Sequence, residues 1–122
     1  MRSSPRTSRI ETCPAPTQAD VEDAVERLAY AFDPLRIVVF GSYARGDARP
    51  GSDLDLLVVL PTVADKRRVA LDMRHVLSGL NVGKDVIVAT PEEIKERGWI
   101  IGTVLHRALK EGEIVYEAND AA

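Results

Sequence analysis

Two aspartates, Asp53 and Asp55, stand at the start of the apolar run LLVVL and are separated by one leucine. Residues i and i+2 of an extended chain project to the same face, so the two carboxylates are expected to lie side by side. Such neighbours repel each other, and one of them would normally take up a proton. A hard divalent cation such as Mg²⁺ removes this repulsion, because it prefers oxygen ligands and a carboxylate pair can bridge two ions. The spacing therefore predicts a site for two magnesium ions.

A third carboxylate and a glycine–serine pair complete the candidate site. Asp85 opens the next apolar run, where it could bind metal and orient or deprotonate an attacking hydroxyl. Gly41 permits a tight turn and a close approach of phosphate to the backbone. Ser42, at the start of a short helical turn, offers a hydroxyl and nearby N–H groups to an anion. Together these residues predict a nucleoside triphosphate bound with its magnesium.

The elements that must position these residues follow from the spacing of the apolar side chains. Thr17 and Asp20 are typical of a helix start, and Pro34 should end that first helix. The later elements are predicted in this order: a strand over 35–40, a polar connection over 41–53, a strand over 54–60, a helix over 64–79, a strand over 84–90, a helix from Pro91 that bends near Gly98 and Gly102 and ends around Lys110, and a short strand over 113–117.

The lengths of the connections predict the sheet. The connection over 41–53 is too short for a helical crossover, so the first two strands should be antiparallel. The segment over 61–83 contains a helix and suits a right-handed parallel crossover. The fold class is therefore α/β, with a small mixed sheet of three to four strands and helices packed on it. In this topology the end of the first strand and the starts of the next two meet at one end of the sheet, where all five candidate residues fall.

Composition indicates one α/β domain in a reducing compartment. The chain has 122 residues, 45% of them hydrophobic and 29% charged, and a formal net charge of −3, which disfavours a dedicated nucleic-acid binder. Cys13 is the only cysteine, no apolar run approaches membrane-spanning length, and the N-terminus lacks the apolar region of a secretory signal. We predict a cytoplasmic protein without membrane contact, with a disordered tail over 1–16, the domain over 17–117 and a C-terminal tail over 118–122.

Some further residues are less informative. Arg45 could contact phosphate or lie on the surface, and Asp47 belongs to a solvated turn. His75 and His106 have no partner at metal-ligand spacing, and neither is predicted to be catalytic. Trp99 is expected to anchor the last helix to the core.

The motif resembles a known family. Gly41-Ser42, ten intervening residues, Asp53-Leu54-Asp55 and a carboxylate on the next strand resemble the nucleotidyltransferases of the DNA polymerase beta superfamily. GSYARG, SDLDLLV and the short length look most like the minimal nucleotidyltransferases, the antitoxin type paired with HEPN-domain toxins. The resemblance covers about residues 20–115 and implies the polymerase beta-like fold. It also implies that Asp53, Asp55 and Asp85 bind metal and serve catalysis, and that Gly41 and Ser42 contact the triphosphate.

The resulting functional hypothesis is metal-dependent transfer of a nucleotidyl group, AMP from ATP, to an acceptor hydroxyl. The resemblance suggests a partner HEPN toxin as the acceptor, silenced by the modification. Two alternatives stay open. One is a small-molecule nucleotidyltransferase, for example one acting on an aminoglycoside. The other is a non-catalytic antitoxin that blocks its toxin by contact alone.

Overall fold

Helices and strands alternate along the chain in a computed structural model that describes residues 14–118. The elements are α1 (Gln18–Phe32), β1 (Arg36–Phe40), α2 (Gly41–Arg45), β2 (Asp53–Val59), α3 (Lys66–Val76), β3 (Gly83–Ala89), α4 (Pro91–Arg97), α5 (Val104–Glu111) and β4 (Glu113–Glu117). Residues 1–13 of the predicted N-terminal tail and residues 119–122 of the predicted C-terminal tail lie outside the described residues.

The strands of the described chain form a four-stranded mixed sheet in the order β3-β2-β1-β4. β1 pairs antiparallel with both β2 and β4, whereas β2 and β3 are parallel. The predicted fold class and the directions of the first three strands are confirmed. The α3 crossover joins the two parallel strands, as the length of that connection requires.

The first helix begins with the predicted cap. Thr17 Oγ1 accepts a hydrogen bond from the Asp20 N–H at 3.2 Å, and Asp20 Oδ2 accepts one from the Thr17 N–H at 2.9 Å. This reciprocal capping box satisfies two backbone donors that the helix leaves unpaired. The helix ends at Asp33, which adopts a left-handed conformation with φ 49° immediately before Pro34.

Alternating residues of the central strands divide the core between two layers of helices. One face of the sheet packs under α1 and α3. The buried residues of this layer, from the strands and the helices together, include Leu28, Ile37, Leu54, Leu56, Met73 and Leu77. The opposite face packs under α4 and α5, with Val38, Phe40, Leu57, Val59 and Ala108 buried. Since side chains alternate between faces along a strand, β2 contributes Leu54 and Leu56 to the first layer and Leu57 and Val59 to the second.

Two helices differ from the prediction. α3 begins at Lys66 rather than at residue 64, because the Asp65 side chain caps it by accepting the Arg68 N–H at 3.2 Å. The predicted bent helix after Pro91 is two separate helices, since the chain breaks between the two expected bend points. Gly102 adopts φ 97°, and Thr103 then starts α5 by accepting the His106 N–H at 3.1 Å.

The prediction for Trp99 is wrong. Its side chain lies in the break between α4 and α5 and is 70% exposed. The indole N–H donates to the Glu96 carbonyl at 2.8 Å, so the ring is held by its own helix end and not by the core.

Candidate active site

The pairing of β2 with β3 brings the predicted carboxylates together. In the parallel ladder Asp55 is opposite Asp85, and Asp53 is opposite Gly83. Asp53 and Asp55 continue the row of side chains that contains Leu57 and Val59, and therefore lie on the face covered by α4 and α5. Asp53 is exposed and Asp55 is half-buried, because the strand there approaches the edge of the helical cover.

The carboxylate of Asp55 packs against the backbone of Gly41. The last residue of β1, Phe40, pairs with Asp55, and Gly41 follows it with φ 76°. A Cβ at residue 41 would overlap Asp55 Oδ2, so the carboxylate lies directly against the Gly41 backbone. Both the left-handed conformation and the close approach require glycine here. The glycine–serine turn and the aspartate pair are thus parts of a single site.

Gly83 likewise leaves room for the carboxylate of Asp53, and this glycine was not among the predicted site residues. A Cβ at Gly83 would overlap Asp53 Oδ1. The glycine stands at the start of β3, opposite Asp53 in the ladder. The sequence signal is the VGKD segment, in which a glycine stands two residues before Asp85.

The negative charge of the site is only partly compensated by neighbouring arginines. The pKa of Asp55 is raised from its ordinary value of 3.8 to about 6, first by burial and then by the negative charges of Asp85 and Asp53. The positive charges of Arg107 and Arg45 act in the opposite direction. The repulsion expected from the sequence is therefore present, and a bound cation would relieve it.

Ser42 lies in the first turn of α2, directly after Gly41, and is half-buried. The N-cap residue Phe40 offers no side-chain cap to this helix, so a ligand could approach the first backbone N–H groups. The loop that follows closes on itself: Ser52 Oγ accepts the Arg49 N–H at 2.9 Å immediately before β2 begins. Asp47 lies in this loop, 3.5 Å from Arg45 in an ion pair.

Asp85 has a different partner in this structure. Its Oδ1 accepts a hydrogen bond from Arg74 Nη2 of α3 at 3.2 Å, and both side chains are about half exposed. Within residues 14–118, no three His, Cys, Asp or Glu side chains are arranged to hold a metal ion together. Asp53 and Asp55 fit a divalent cation by their oxygen donors and by their charge. Asp85 could join them through Oδ2, because Arg74 contacts only its Oδ1.

Two cationic side chains and one further carboxylate border the site. Glu111 Oε2, on α5, lies 3.4 Å from Arg45 Nη1 and 3.6 Å from Arg107 Nε. Spacing along the chain leaves the role of Arg45 undecided and does not indicate Arg107 or Glu111, because it does not show where α5 packs. The two histidines have other surroundings: His75 is exposed on α3, and the His106 ring lies 3.0 Å from the Gly98 carbonyl.

Comparison with known proteins identifies the family. A family model described as a nucleotidyltransferase domain matches residues 20–115. The chain belongs to this nucleotidyltransferase family. The match covers the range over which the motifs resemble the superfamily, so the predicted superfamily is confirmed, whereas the minimal type paired with HEPN toxins stays a prediction. No protein with a curated description is significantly similar to the chain in sequence.

Two solved structures share the nucleotidyltransferase fold. A candidate nucleotidyltransferase from Sulfolobus solfataricus is 23% identical, with 96% of this chain and 90% of that chain covered and a TM-score of 0.53. A toxin–antitoxin structure with AMP-PNP contains a chain that is 17% identical, with 87% of this chain and 77% of that chain covered and a TM-score of 0.54. Among the described residues, no helix combines the length and apolar character needed to cross a membrane.

Proposed function

We propose that this protein is a metal-dependent nucleotidyltransferase that moves AMP from ATP to a hydroxyl group of a partner HEPN-domain toxin. One observation carries the proposal: the Asp55 carboxylate lies against the Gly41 backbone, and Asp55 is the register partner of Asp85 in the parallel pair of strands. The carboxylates that would bind a cation and the turn that would bind phosphate are therefore neighbours, as nucleotidyl transfer from a triphosphate requires.

Different residues would bind the phosphates of ATP and its Mg²⁺. Gly41 and Ser42 would bind the β- and γ-phosphates through backbone N–H groups and the serine hydroxyl. Asp53 and Asp55 would hold Mg²⁺ with their carboxylate oxygens. Bound Mg²⁺ would neutralise the triphosphate and the charge that develops on it in the transition state.

Asp85 would act on the acceptor. The acceptor hydroxyl attacks the α-phosphorus in line and forms the new P–O bond, while the bond to the oxygen bridging the α- and β-phosphates breaks and pyrophosphate leaves. Asp85 orients the hydroxyl or accepts its proton. Arg74 contacts Asp85 through Oδ1, so Asp85 Oδ2 would be the oxygen that orients the hydroxyl or accepts its proton.

Two observations favour a protein acceptor. The Asp85 side chain is 53% exposed, and Asp53 is exposed as well, whereas small-molecule sites enclose most of their ligand. A structural neighbour is a chain of a toxin–antitoxin structure with AMP-PNP, so a protein of this fold occurs in one structure with a toxin–antitoxin pair and an ATP analogue. A small-molecule acceptor remains the alternative that an acceptor screen would reveal.

The test uses ATP labelled at the α-phosphate, Mg²⁺ and, as candidate acceptors, HEPN-domain proteins and an aminoglycoside. The wild-type protein should label the acceptor, and Asp53→Asn should abolish labelling. Asp85→Ala should lower turnover by about 10²-fold or more while nucleotide affinity changes only a few-fold, because the acceptor acts after the nucleotide is bound. Asp72→Asn, which removes an exposed carboxylate that pairs with Arg68 on α3, is the control and should retain activity. Near-native transfer by Asp53→Asn would refute the metal assignment.

A cellular assay separates the enzyme from an inert antitoxin. Cells that express the toxin should survive with the wild-type protein and die with Asp85→Ala if the modification silences the toxin. Full protection by Asp85→Ala, with no label on the toxin, would show that contact is sufficient. Label on an aminoglycoside instead of the protein would support the small-molecule alternative.

A further inference from the structure

One carboxylate holds two guanidinium groups together where α2 meets α5. Glu111 Oε2 lies 3.4 Å from Arg45 Nη1 and 3.6 Å from Arg107 Nε. The Glu111 side chain is 24% exposed, and those of Arg45 and Arg107 are 48% and 60% exposed. The three side chains, which we call the Arg–Glu–Arg cluster, therefore form an ion-paired group that water and a ligand can reach.

The packing of α5 explains why this cluster lies beside the glycine–serine turn. Gly112 follows Glu111, and a Cβ there would overlap Ala108 O and Val38 Cγ1. The end of α5 can therefore approach β1 closely, and β1 leads directly into α2. Arg45 is three residues after Ser42 on α2, which places the two side chains on neighbouring positions of one helical surface.

The ion pairs within the cluster are suited to exchange. Their N–O distances exceed the 2.7–2.9 Å of well-formed charge-assisted hydrogen bonds, so they are easily opened. A di- or triphosphate offers more oxygens and more negative charge than one carboxylate, and the planar guanidinium matches phosphate in a bidentate manner. A concavity of ≈ 540 Å³ adjoins the cluster, lined in part by Arg107, Lys110 and Glu111.

We propose that Glu111 is a placeholder for phosphate: it holds Arg107 together with Arg45, which follows Ser42 by three residues on α2, until the β- and γ-phosphates of the nucleotide displace it. The two arginines then bind the part of ATP that leaves as pyrophosphate. This inference rests on the proposed nucleotidyl transfer and assigns Glu111 as a positioning residue. The carboxylate competes with the phosphates, so its effect on nucleotide affinity has a defined sign.

The experiment measures the binding of pyrophosphate, ATP and AMP by calorimetry in the presence of Mg²⁺. Glu111→Gln should bind pyrophosphate and ATP about 3- to 10-fold more tightly, as expected from the loss of two competing exposed ion pairs. Its affinity for AMP should not change, because AMP lacks the β- and γ-phosphates. Arg107→Gln should weaken pyrophosphate binding by about the same factor.

Glu93→Gln is the matched control. The Glu93 side chain is 25% exposed and forms an ion pair with Lys66 at 2.6 Å, but it lies on α4, which follows the opposite end of β3. This variant should bind all three ligands as the wild type does.

The outcomes separate this inference from the proposed function. Unchanged or weaker pyrophosphate binding by folded Glu111→Gln would overturn the placeholder role, as would unchanged binding by Arg107→Gln. Tighter pyrophosphate binding by Glu111→Gln, in a protein that transfers no label, would support the placeholder and refute nucleotidyl transfer. Label transfer with no effect of either variant on binding would refute only the placeholder.

Discussion

Replacing Asp55 by asparagine should stabilise the metal-free protein at neutral and alkaline pH. Asp55 has a pKa raised from 3.8 to about 6, first by burial and then by the charges of Asp85 and Asp53, so its ionised form is unfavourable in the folded state. If the whole pKa shift of Asp55 contributed to the free energy of unfolding, it would correspond to about 3 kcal/mol, at about 1.4 kcal/mol per tenfold change in proton affinity. Since Asp55 is only half-buried, solvent screens part of this energy, and we expect about 1–2 kcal/mol.

The sign of the pH dependence follows from linkage. The folded protein binds the Asp55 proton more tightly than the unfolded chain, so the contribution of Asp55 to stability is complete below about pH 4. This contribution is lost as the pH rises through about 6. Asparagine does not ionise, so the stability advantage of Asp55→Asn should be greatest at pH 8 and should disappear as the pH falls to 4.

The assay is urea denaturation of both proteins in a chelator at pH values from 4 to 8. Asp47→Asn is the control, because Asp47 is an exposed loop carboxylate and its removal should give no such gain at high pH. A free-energy difference between Asp55→Asn and the wild type that did not vary with pH would refute the reasoning. A difference that favoured the wild type increasingly toward pH 8 would also refute it.

Two further predictions concern the glycine–serine turn. Gly41→Ala should lower the free energy of unfolding by about 2–4 kcal/mol, since a Cβ there meets both an unfavourable φ and the Asp55 carboxylate. Gly51→Ala shares the positive φ but has open space around its Cβ, so a chemical-denaturation comparison in which both variants lost equal stability would contradict the contact. Ser42→Ala should weaken magnesium-dependent ATP binding by about 1–2 kcal/mol in calorimetry, the scale of a hydrogen bond to a charged group, and unchanged affinity would place the phosphates elsewhere.

Sequence could predict the topology because the lengths of the connections limit it strongly. A strand that returns after residues 41–53 must be antiparallel, and one that returns after a helix can be parallel. These two constraints place the candidate residues at one end of the sheet. The pairing of Asp55 with Asp85, however, depends on the register of β2 and β3, which is determined by packing on both faces of the sheet and not by the length of the crossover.

The parts of the site and of the fold that the sequence did not predict depend on how α5 packs. Arg107 and Glu111 are separated from the motif by more than fifty residues, and no spacing rule relates them to Arg45. Trp99 does not anchor the last helix to the core as the sequence predicts. The segment before α5 instead turns at Gly102 with φ 97°, and both Trp99 and Ile101 remain exposed there, 70% and 84% respectively.

The free-energy cost of ionising Asp55 and the expected affinity of the site for a cation have the same structural origin. Along β2 one row of side chains changes from Leu57 and Val59, which the helices cover, to Asp55 and Asp53 near the end of that cover. Asp55 retains part of the shielding that its apolar neighbours receive, and burial therefore raises the pKa of its carboxyl group. The same shielding lowers the effective dielectric constant, so the attraction between this carboxylate and a cation is stronger than it would be in water. A fully covered Asp55 would remain protonated, and a fully exposed one would bind the cation weakly. The incomplete cover of the sheet gives an intermediate case, in which the charge that destabilises the free protein is the charge that a metal–nucleotide complex would neutralise.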